Sequence, residues 1–458
     1  MVRLFNVYYP IRTIVLVFGE ILIVCASFVA GALIRLGPNS MLVLGYEDGI
    51  YKVLALAGVA VLCFYYFDLY DSQRVSSRSE TFFRLLIVLG VLSLFLAAIC
   101  YLFPGFLLGN DVLLQGIVIL TLALLGWRWV YSWLISQSFL RERVYVLGSG
   151  DRAKRLVDAL RARPDLGLEV VGWAGAVGNG SLTREQLASQ LLALQAKNAV
   201  DHIIVAMSDG RGKMPVRELL DLRLSGVKVD NATGLLEKIS GMIEVHELQP
   251  SWLLFSEGFR LNYLFLALRR VLSFTIAAVG LAISLPLIPL IALAVKLSSS
   301  GPVFYRQSRV GAHGRVFTCY KFRTMRADAE ADTGATWAAD DDPRITAVGH
   351  LLRHLRLDEI PQMWNVLNGD MGFIGPRPER PEFVKQLSED IPYYNLRHII
   401  RPGITGWAQI RYKYGNSIDD ARQKLQYDLF YIKNMSFGLD FWILVHTLKV
   451  ILLGRGAK

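Results

Sequence analysis

RRVLSFTIAAVGLAISLPLIPLIALAVKLSSSG, running from Arg269 to Gly301, decides how this chain is arranged about a membrane. Its apolar part, Val271 to Val295, is long enough to supply the ~20 residues a helix needs to cross hydrocarbon. Pro286 and Pro289 interrupt it, each removing a backbone donor, and two such breaks one turn apart bend a helix sharply. Both ends are basic, with Arg269 and Arg270 before and Lys296 after, so both suit one anionic surface. A full crossing would carry everything downstream to the far side. A re-entrant hairpin, bent at Ser284, Pro286 and Pro289, would return it to the side it came from, and this hairpin is the expectation, with a plain span as the alternative.

Upstream lie four apolar stretches, Thr13 to Leu36, Gly49 to Leu69, Phe82 to Phe103 and Val112 to Ile135, each near spanning length. The first is too long for a removable signal and lacks a small-residue cleavage site, so it is expected to be an anchor. Arg3, Arg12, Arg74, Arg78, Arg84, Arg141 and Arg143 flank one set of ends, whereas the connections at 37–48 and 104–111 hold no Lys or Arg. Positive-inside counting therefore places the N-terminus and everything after Ser136 in the cytoplasm of a multi-pass membrane protein. The composition agrees: 458 residues, 53% hydrophobic and 19% charged, with mean hydropathy +0.38. The net charge of +10 comes without a nucleic-acid motif, so membrane lipid and a diphosphate substrate are the expected partners and nucleic acid is not. Cys25, Cys63, Cys100 and Cys319 show neither metal spacing nor a disulfide framework.

From Val144 the pattern alternates: VYVLGSG, a helix from Arg152 to Ala162, LEVVGW, a helix from Arg184 to Ala196, VDHIIVAMS, a helix near Pro215 to Leu222, then VKVD. Strand and helix in turn predict a parallel, Rossmann-like α/β domain. Gly148-Ser149-Gly150 falls where a phosphate loop would be, but Ala153 replaces the third glycine and no acid ends the second strand. A bound nucleotide or a structural role both fit. A linker with Pro250 and Trp252 follows. The expected domains are four transmembrane helices (1–140), the Rossmann-like domain (141–250), the linker (251–268), the re-entrant helix (269–297) and an α+β catalytic domain (298–458).

Within that last domain RLDEIPQMWNVLNGDMGFIGPRPER, Arg356 to Arg380, carries the chemistry. Asp358 and Glu359 precede Pro361, a residue suited to the first position of a helix because it leaves no N–H unpaired. The acidic pair is thus expected at a positive helix end. Gly375-Pro376-Arg377-Pro378 is too stiff to continue a helix and should hold Arg377 and Arg380 on a defined loop. A carboxylate nucleophile, a divalent cation and a guanidinium fork serve phosphoryl transfer; a capped surface helix with a Pro-rich turn is the plain alternative. The closing run from Phe437 to Leu453, with Trp442 and Lys449, suits either an interfacial or a core helix.

GPVFYRQSRVG, YKFRTM, LDEIPQMWNVLNGDM, GPRPE and RPGITGWAQ occur in that order. With the four apolar helices and the α/β domain, they make the whole chain resemble the large bacterial polyprenyl-phosphate hexose-1-phosphate transferases, or monotopic phosphoglycosyl transferases. These start exopolysaccharide and O-antigen synthesis. The linker before Tyr263 further resembles a subgroup linked to exopolysaccharide export.

The resemblance implies transfer of a hexose 1-phosphate from a nucleotide sugar of the UDP type to polyprenyl phosphate, with release of UMP. Asp358 falls on the family's nucleophile and Glu359 completes its dyad, with Mg2+ the expected metal and Asp358 its expected ligand. Lys321, Arg323, Arg377, Arg380 and Arg401 fall where phosphate or nucleotide contacts are expected, and a homodimer is compatible with the resemblance. Two departures stand out: the Ser-Pro pair that breaks the re-entrant helix reads Leu285-Pro286 here, with Ser284 one place earlier, and Ser273 replaces an acidic residue near its start.

Mg2+ needs only one or two protein carboxylates, and a carboxylate nucleophile needs no base at neutral pH. His350 and His354 are accordingly expected to be structural. A membrane-bound nucleotide-sugar dehydratase or epimerase would need a complete cofactor loop and a Tyr-x-x-x-Lys pair between Val144 and Pro250, and neither is present. A non-enzymatic ligand sensor would leave the dyad unexplained.

Overall fold

A computed structural model of the chain describes all residues except 47, 72–77, 104–109, 138–139, 175–182, 197–198, 208–213, 246–255, 257, 260–261, 330–341, 413–414, 416 and 453–458. Arg74, Pro250 and Trp252 lie outside the described residues. Two compact units are present, one of Met1–Val2 and Tyr9–Leu235, the other of Arg3–Tyr8 and Leu236–Lys458.

The first unit begins with the apolar helices α1 (Ile11–Leu36), α2 (Ser40–Tyr46), α3 (Gly49–Tyr66), α4 (Arg78–Leu102) and α5 (Asn110–Ser136). The connection at 37–48 is largely helical, with a 3-10 turn at Gly37–Asn39 ahead of α2. Val24, Phe28, Leu56, Phe64, Leu92 and Leu120 share one buried cluster. A Cβ on Gly31 would stand 3.0 Å from the backbone nitrogen of Gly116, so small residues let α1 and α5 approach closely. Inside this apolar bundle Arg128 Nε donates to Glu20 Oε1 at 2.6 Å, and Arg128 Nη1 donates to the Leu69 carbonyl at 3.2 Å. Thus one guanidinium ties α1 to α5 and to the segment just past α3.

Downstream, β3 (Glu142–Leu147), α6 (Asp151–Arg161), β4 (Leu168–Trp173), α7 (Arg184–Ala196), β5 (His202–Val205), α8 (Val216–Leu224) and β6 (Lys228–Asn231) alternate. Their strands form a parallel sheet in the order β4-β3-β5-β6, as the alternation predicts. The buried tetrad Val144 to Leu147 is apolar on both faces, as a parallel strand covered by helices requires. A Cβ on Gly148 would lie 2.7 Å from the Ala206 carbonyl oxygen, so this glycine serves the close approach of the chains leaving β3 and β5.

The boundary between the units falls within α9 (Ala232–Ser240), and the second unit holds α10 (Tyr263–Ser284), α11 (Leu287–Ser298), the antiparallel pair β7 (Phe304–Val310) and β8 (Val316–Phe322), and α12 (Ala347–His354). Then follow a 3-10 turn at Leu357–Glu359, α13 (Gln362–Asn368), β9 (Gly372–Ile374) and α14 (Pro381–Asp390). A second 3-10 segment at Tyr394–Ile399, β10 (Gly403–Thr405), α15 (Trp407–Arg411), α16 (Ile418–Lys433) and α17 (Phe437–Leu452) complete it. The apolar run of Arg269 to Gly301 is broken between α10 and α11 at Leu285–Pro286. Ala277 of α10 packs with Val366 and Met371, while Ile291 and Val295 of α11 pack with Phe322, Leu352 and Ile360. Both arms therefore rest on the elements that flank the acidic pair. Most of α10 is otherwise uncovered, with Val271, Val279 and Ile283 exposed. Five helical segments among the described residues are long and apolar enough to cross a membrane, 11–45, 49–66, 79–102, 112–136 and 263–284.

Two further features complete this unit. On α17, Leu439 and Ile443 are buried while Phe441 and Leu448 are exposed, which is a two-faced helix. The N-terminal residues form a two-stranded hairpin, β1 (Val2–Leu4) and β2 (Val7–Tyr9). Asn6 Nδ2 donates to the Asn434 carbonyl at 2.8 Å, Arg3 Nη2 donates to Asn434 Oδ1 at 3.2 Å, and the Phe5 and Phe441 rings stand 6.4 Å apart.

Candidate active site

The acidic pair does not occupy a helix N-terminus. Asp358 and Glu359 form the 3-10 turn ahead of α13, and Pro361 flanks that helix as its cap. Arg356 opens the turn in the left-handed region, at φ 57°, a conformation that costs a non-glycine residue ~1 kcal/mol. The reversal places both carboxylates below 9% exposure. Asn365, fully buried, staples α13 to β8: its Nδ2 donates to the Thr318 carbonyl at 2.7 Å, and its Oδ1 accepts from the Tyr320 N–H at 3.1 Å. Lys321, the next residue on that strand, is thereby held against the turn.

Both cations then converge on one oxygen. Glu359 Oε1 accepts from Lys321 Nζ at 3.0 Å and from Arg377 Nη2 at 2.8 Å. Burial opposes the Glu359 charge, but Lys321 and Arg377 outweigh it and hold the carboxyl below its ordinary pKa. Asp358 goes the other way, raised by burial and then by the neighbouring Glu359 charge. Its Oδ1 is buried and has no hydrogen-bond partner among the described residues. Glu359 is thus committed as a counter-ion, while Asp358 keeps an oxygen in reserve.

That spare oxygen fits a hard divalent cation, which binds through one or two carboxylates and keeps several waters. Among the described residues no group of three or more His, Cys, Asp or Glu side chains forms an all-protein metal cage. Asp358 is the residue that would hold the ion.

The dyad opens into a cavity of about 560 Å³, lined by Lys321, Arg353, Arg356, Arg377 and Arg380 and, on its apolar parts, by Phe304, Phe383 and Tyr412. Such a wall neutralises a diphosphate and offers ring faces besides. The Arg377 loop is held from outside. Gly403 N–H donates to the Pro376 carbonyl at 2.9 Å, Val310 N–H to the Glu379 carbonyl at 2.9 Å, and Arg309 Nη1 to the Pro378 carbonyl at 2.9 Å.

The structure therefore brings Asp358, Glu359, Lys321, Arg377 and Arg380 to one cavity. Arg323 also borders it, but its guanidinium donates to the carbonyls of Ser299, at 2.8 Å, and Ser300, closing the end of α11 onto β8. Arg401, expected at the phosphates, is exposed and does not line the cavity. The parallel pairing of Gly403 with Gly372 sets its backbone against Gly375, outside the pocket wall. Sequence reasoning assigned no role to Arg353, Arg356, Arg309 or Asn365. The spacing of Arg353 and Arg356, one turn apart just before the dyad, was the available signal for the first two.

Comparison with known proteins identifies the family. The bacterial sugar transferase family profile matches residues 264–454, and a CoA-binding domain profile matches residues 65–220. The chain is 35% identical over 327 residues to the UDP-glucose:undecaprenyl-phosphate glucose-1-phosphate transferase of Escherichia coli, covering 69% of each. It is 41% identical over 245 residues to the UDP-N-acetylgalactosamine-undecaprenyl-phosphate N-acetylgalactosaminephosphotransferase of Aeromonas hydrophila, covering 53% of this chain and 56% of that one. It is also 37% identical over 191 residues to the uncharacterized sugar transferase EpsL of Bacillus subtilis, covering 42% of this chain and 90% of that one. The chain belongs to the bacterial sugar transferases, in the group that includes the undecaprenyl-phosphate sugar-1-phosphate transferases. The matched stretch spans little more than half of the Aeromonas relative.

Proposed function

We propose that this chain transfers a hexose 1-phosphate from a UDP-sugar to polyprenyl phosphate at the cytoplasmic face of the inner membrane, with Asp358 as nucleophile. A carboxylate oxygen of Asp358 attacks the sugar-bearing phosphorus. The bond from that phosphorus to the bridging oxygen breaks, and its electron pair leaves on UMP. Polyprenyl phosphate then attacks the same phosphorus, the aspartyl oxygen departs, and Asp358 is a carboxylate again. Donor and acceptor are handled in turn, so they need not occupy the cavity together.

The observation that carries this is the unequal fate of the two carboxylates on the floor of a cationic cavity. Glu359 holds Lys321 and Arg377 in place, and Asp358 has an oxygen free to form a bond. Lys321, Arg377 and Arg380 take the phosphate oxygens, and Arg353 and Arg356 add charge from behind the turn. Mg2+, held at Asp358, would supply further charge neutralisation of the diphosphate.

The break at Leu285–Pro286 and the packing of both α10 and α11 on the catalytic elements support a re-entrant hairpin. With four preceding crossings, a hairpin keeps Asp358 on the side where nucleotide sugars are found. Incubating purified protein with a panel of UDP-sugars tests the function. UMP release that requires Mg2+ and leads to a sugar-bearing lipid is expected; absence of UMP release with every sugar would refute it.

A further inference from the structure

Four consecutive carbonyls, Pro376 to Glu379, each accept a hydrogen bond, and three of the donors are described above. The fourth, to Arg377 itself, comes from Arg397 Nη2 at 3.0 Å. That guanidinium is buried at 4% exposure and does not touch the dyad. The same Nη2 lies 2.9 Å from Oδ2 of Asp428 on α16, an ion pair, and the Tyr394 hydroxyl accepts from Nη1 at 2.6 Å. Asp428 is 1% exposed. Two charges have been taken out of water at a cost that the helix core does not require, since apolar residues of similar volume pack as well or better.

We propose that Arg397 and Asp428 are positioning residues of the active site, holding the Arg377 backbone so that its side chain reaches Glu359. A chain of contacts runs from Asp428 to Arg397, to the Arg377 carbonyl, through the Arg377 side chain and on to Glu359 at 2.8 Å. Pro376 and Pro378 flank the held carbonyl and have no N–H with which to anchor the loop. All four carbonyls from Pro376 to Glu379 are held, and Arg397 is the donor at the residue that matters. Nη2 meets the carboxylate and the carbonyl while Nη1 holds the Tyr394 hydroxyl, three contacts in one rigid plane that a lysine ammonium does not reproduce.

The proposal rests on the transferase reading for its activity arm and is independent of it for its structural arm. Hydrogen exchange of the full-length protein in detergent reads the loop directly. Asp428→Asn and Arg397→Lys should each raise exchange in 374–380 by roughly tenfold or more while the rest of α16 keeps its protection. Tyr394→Phe, a milder variant, should give a smaller rise in the same peptide if either of the others fails to fold. Unchanged exchange in 374–380 in a folded variant would overturn the proposal.

In the activity arm, Asp428→Asn should lower kcat/KM for the nucleotide sugar by roughly tenfold, and have almost no further effect when added to Arg377→Ala. Full additivity of the two substitutions would equally overturn it. If no sugar yields UMP, the transferase reading fails while the exchange result still decides the positioning role.

Discussion

Asp358 and Glu359 are adjacent in the chain, yet two cations settle on one and leave the other with an unpartnered oxygen. Asp358→Asn should therefore abolish turnover by many powers of ten while the purified protein still binds the donor, and retention of more than a few per cent of activity would remove it as nucleophile. Glu359→Gln should act differently, since it frees Lys321 and Arg377. Arg377→Lys keeps the charge but loses the fork, and a raised KM for the donor is expected. The carboxyl of Asp428 is pushed up to about 6 by burial, against the opposing charge of Arg397, with Glu379 adding to the rise and Lys424 opposing it. Above that pH Asp428 is charged and holds Arg397; below it the hold weakens, so kcat/KM should fall as pH drops through about 6, and Asp428→Asn should lack that limb. Stability has the opposite sign. A carboxyl raised in the folded state stabilises it fully below its unfolded value and loses that contribution as pH rises through the folded one. The acidic pair and the stiff Arg377 loop could be read from sequence because their chemistry is local. Arg397 and Asp428 could not, because a buried pair drawn together from 394–399 and α16 has no signature in spacing.

At the scale of elements, the apolar helices and the parallel sheet were legible because hydrophobic period and length report on them directly. The placement of the dyad in a 3-10 turn was not, because it depends on the left-handed backbone at Arg356, which no residue type announces. Likewise, Arg401 could not be placed from its motif, since the pairing of β9 with β10 decides where it lies. The break between α10 and α11 carries a topological prediction. In a chain otherwise free of cysteine, Lys385→Cys on exposed α14 should resist a membrane-impermeant thiol reagent in intact cells and react once the inner membrane is opened. Efficient labelling from outside would establish a fifth crossing. The Glu20–Arg128 pair carries another. Removing either partner strands a buried charge, typically at ~3–5 kcal/mol, whereas removing both should cost less. Thermal unfolding of Glu20→Ala, Arg128→Ala and the double variant in detergent reads this directly, and a double loss equal to the sum of the two single losses would show the pair to be uncoupled.

Across the whole molecule, the proposed chemistry lies in the second unit, which holds the cavity at Asp358 and the stretch 264–454 matched by the sugar transferase profile. A truncated chain of residues 236–458 should therefore release UMP in detergent, while a chain ending at 235 should not. The shorter chain should nevertheless unfold at lower temperature, because Arg3, Phe5 and Asn6 would no longer cover Asn434 and Phe441. That docking has a further consequence for biosynthesis. Residues 3–8 leave the ribosome long before their partner surface on α16 and α17 is made. The second unit is then completed by a segment made ahead of α1, held in waiting while more than four hundred residues are added.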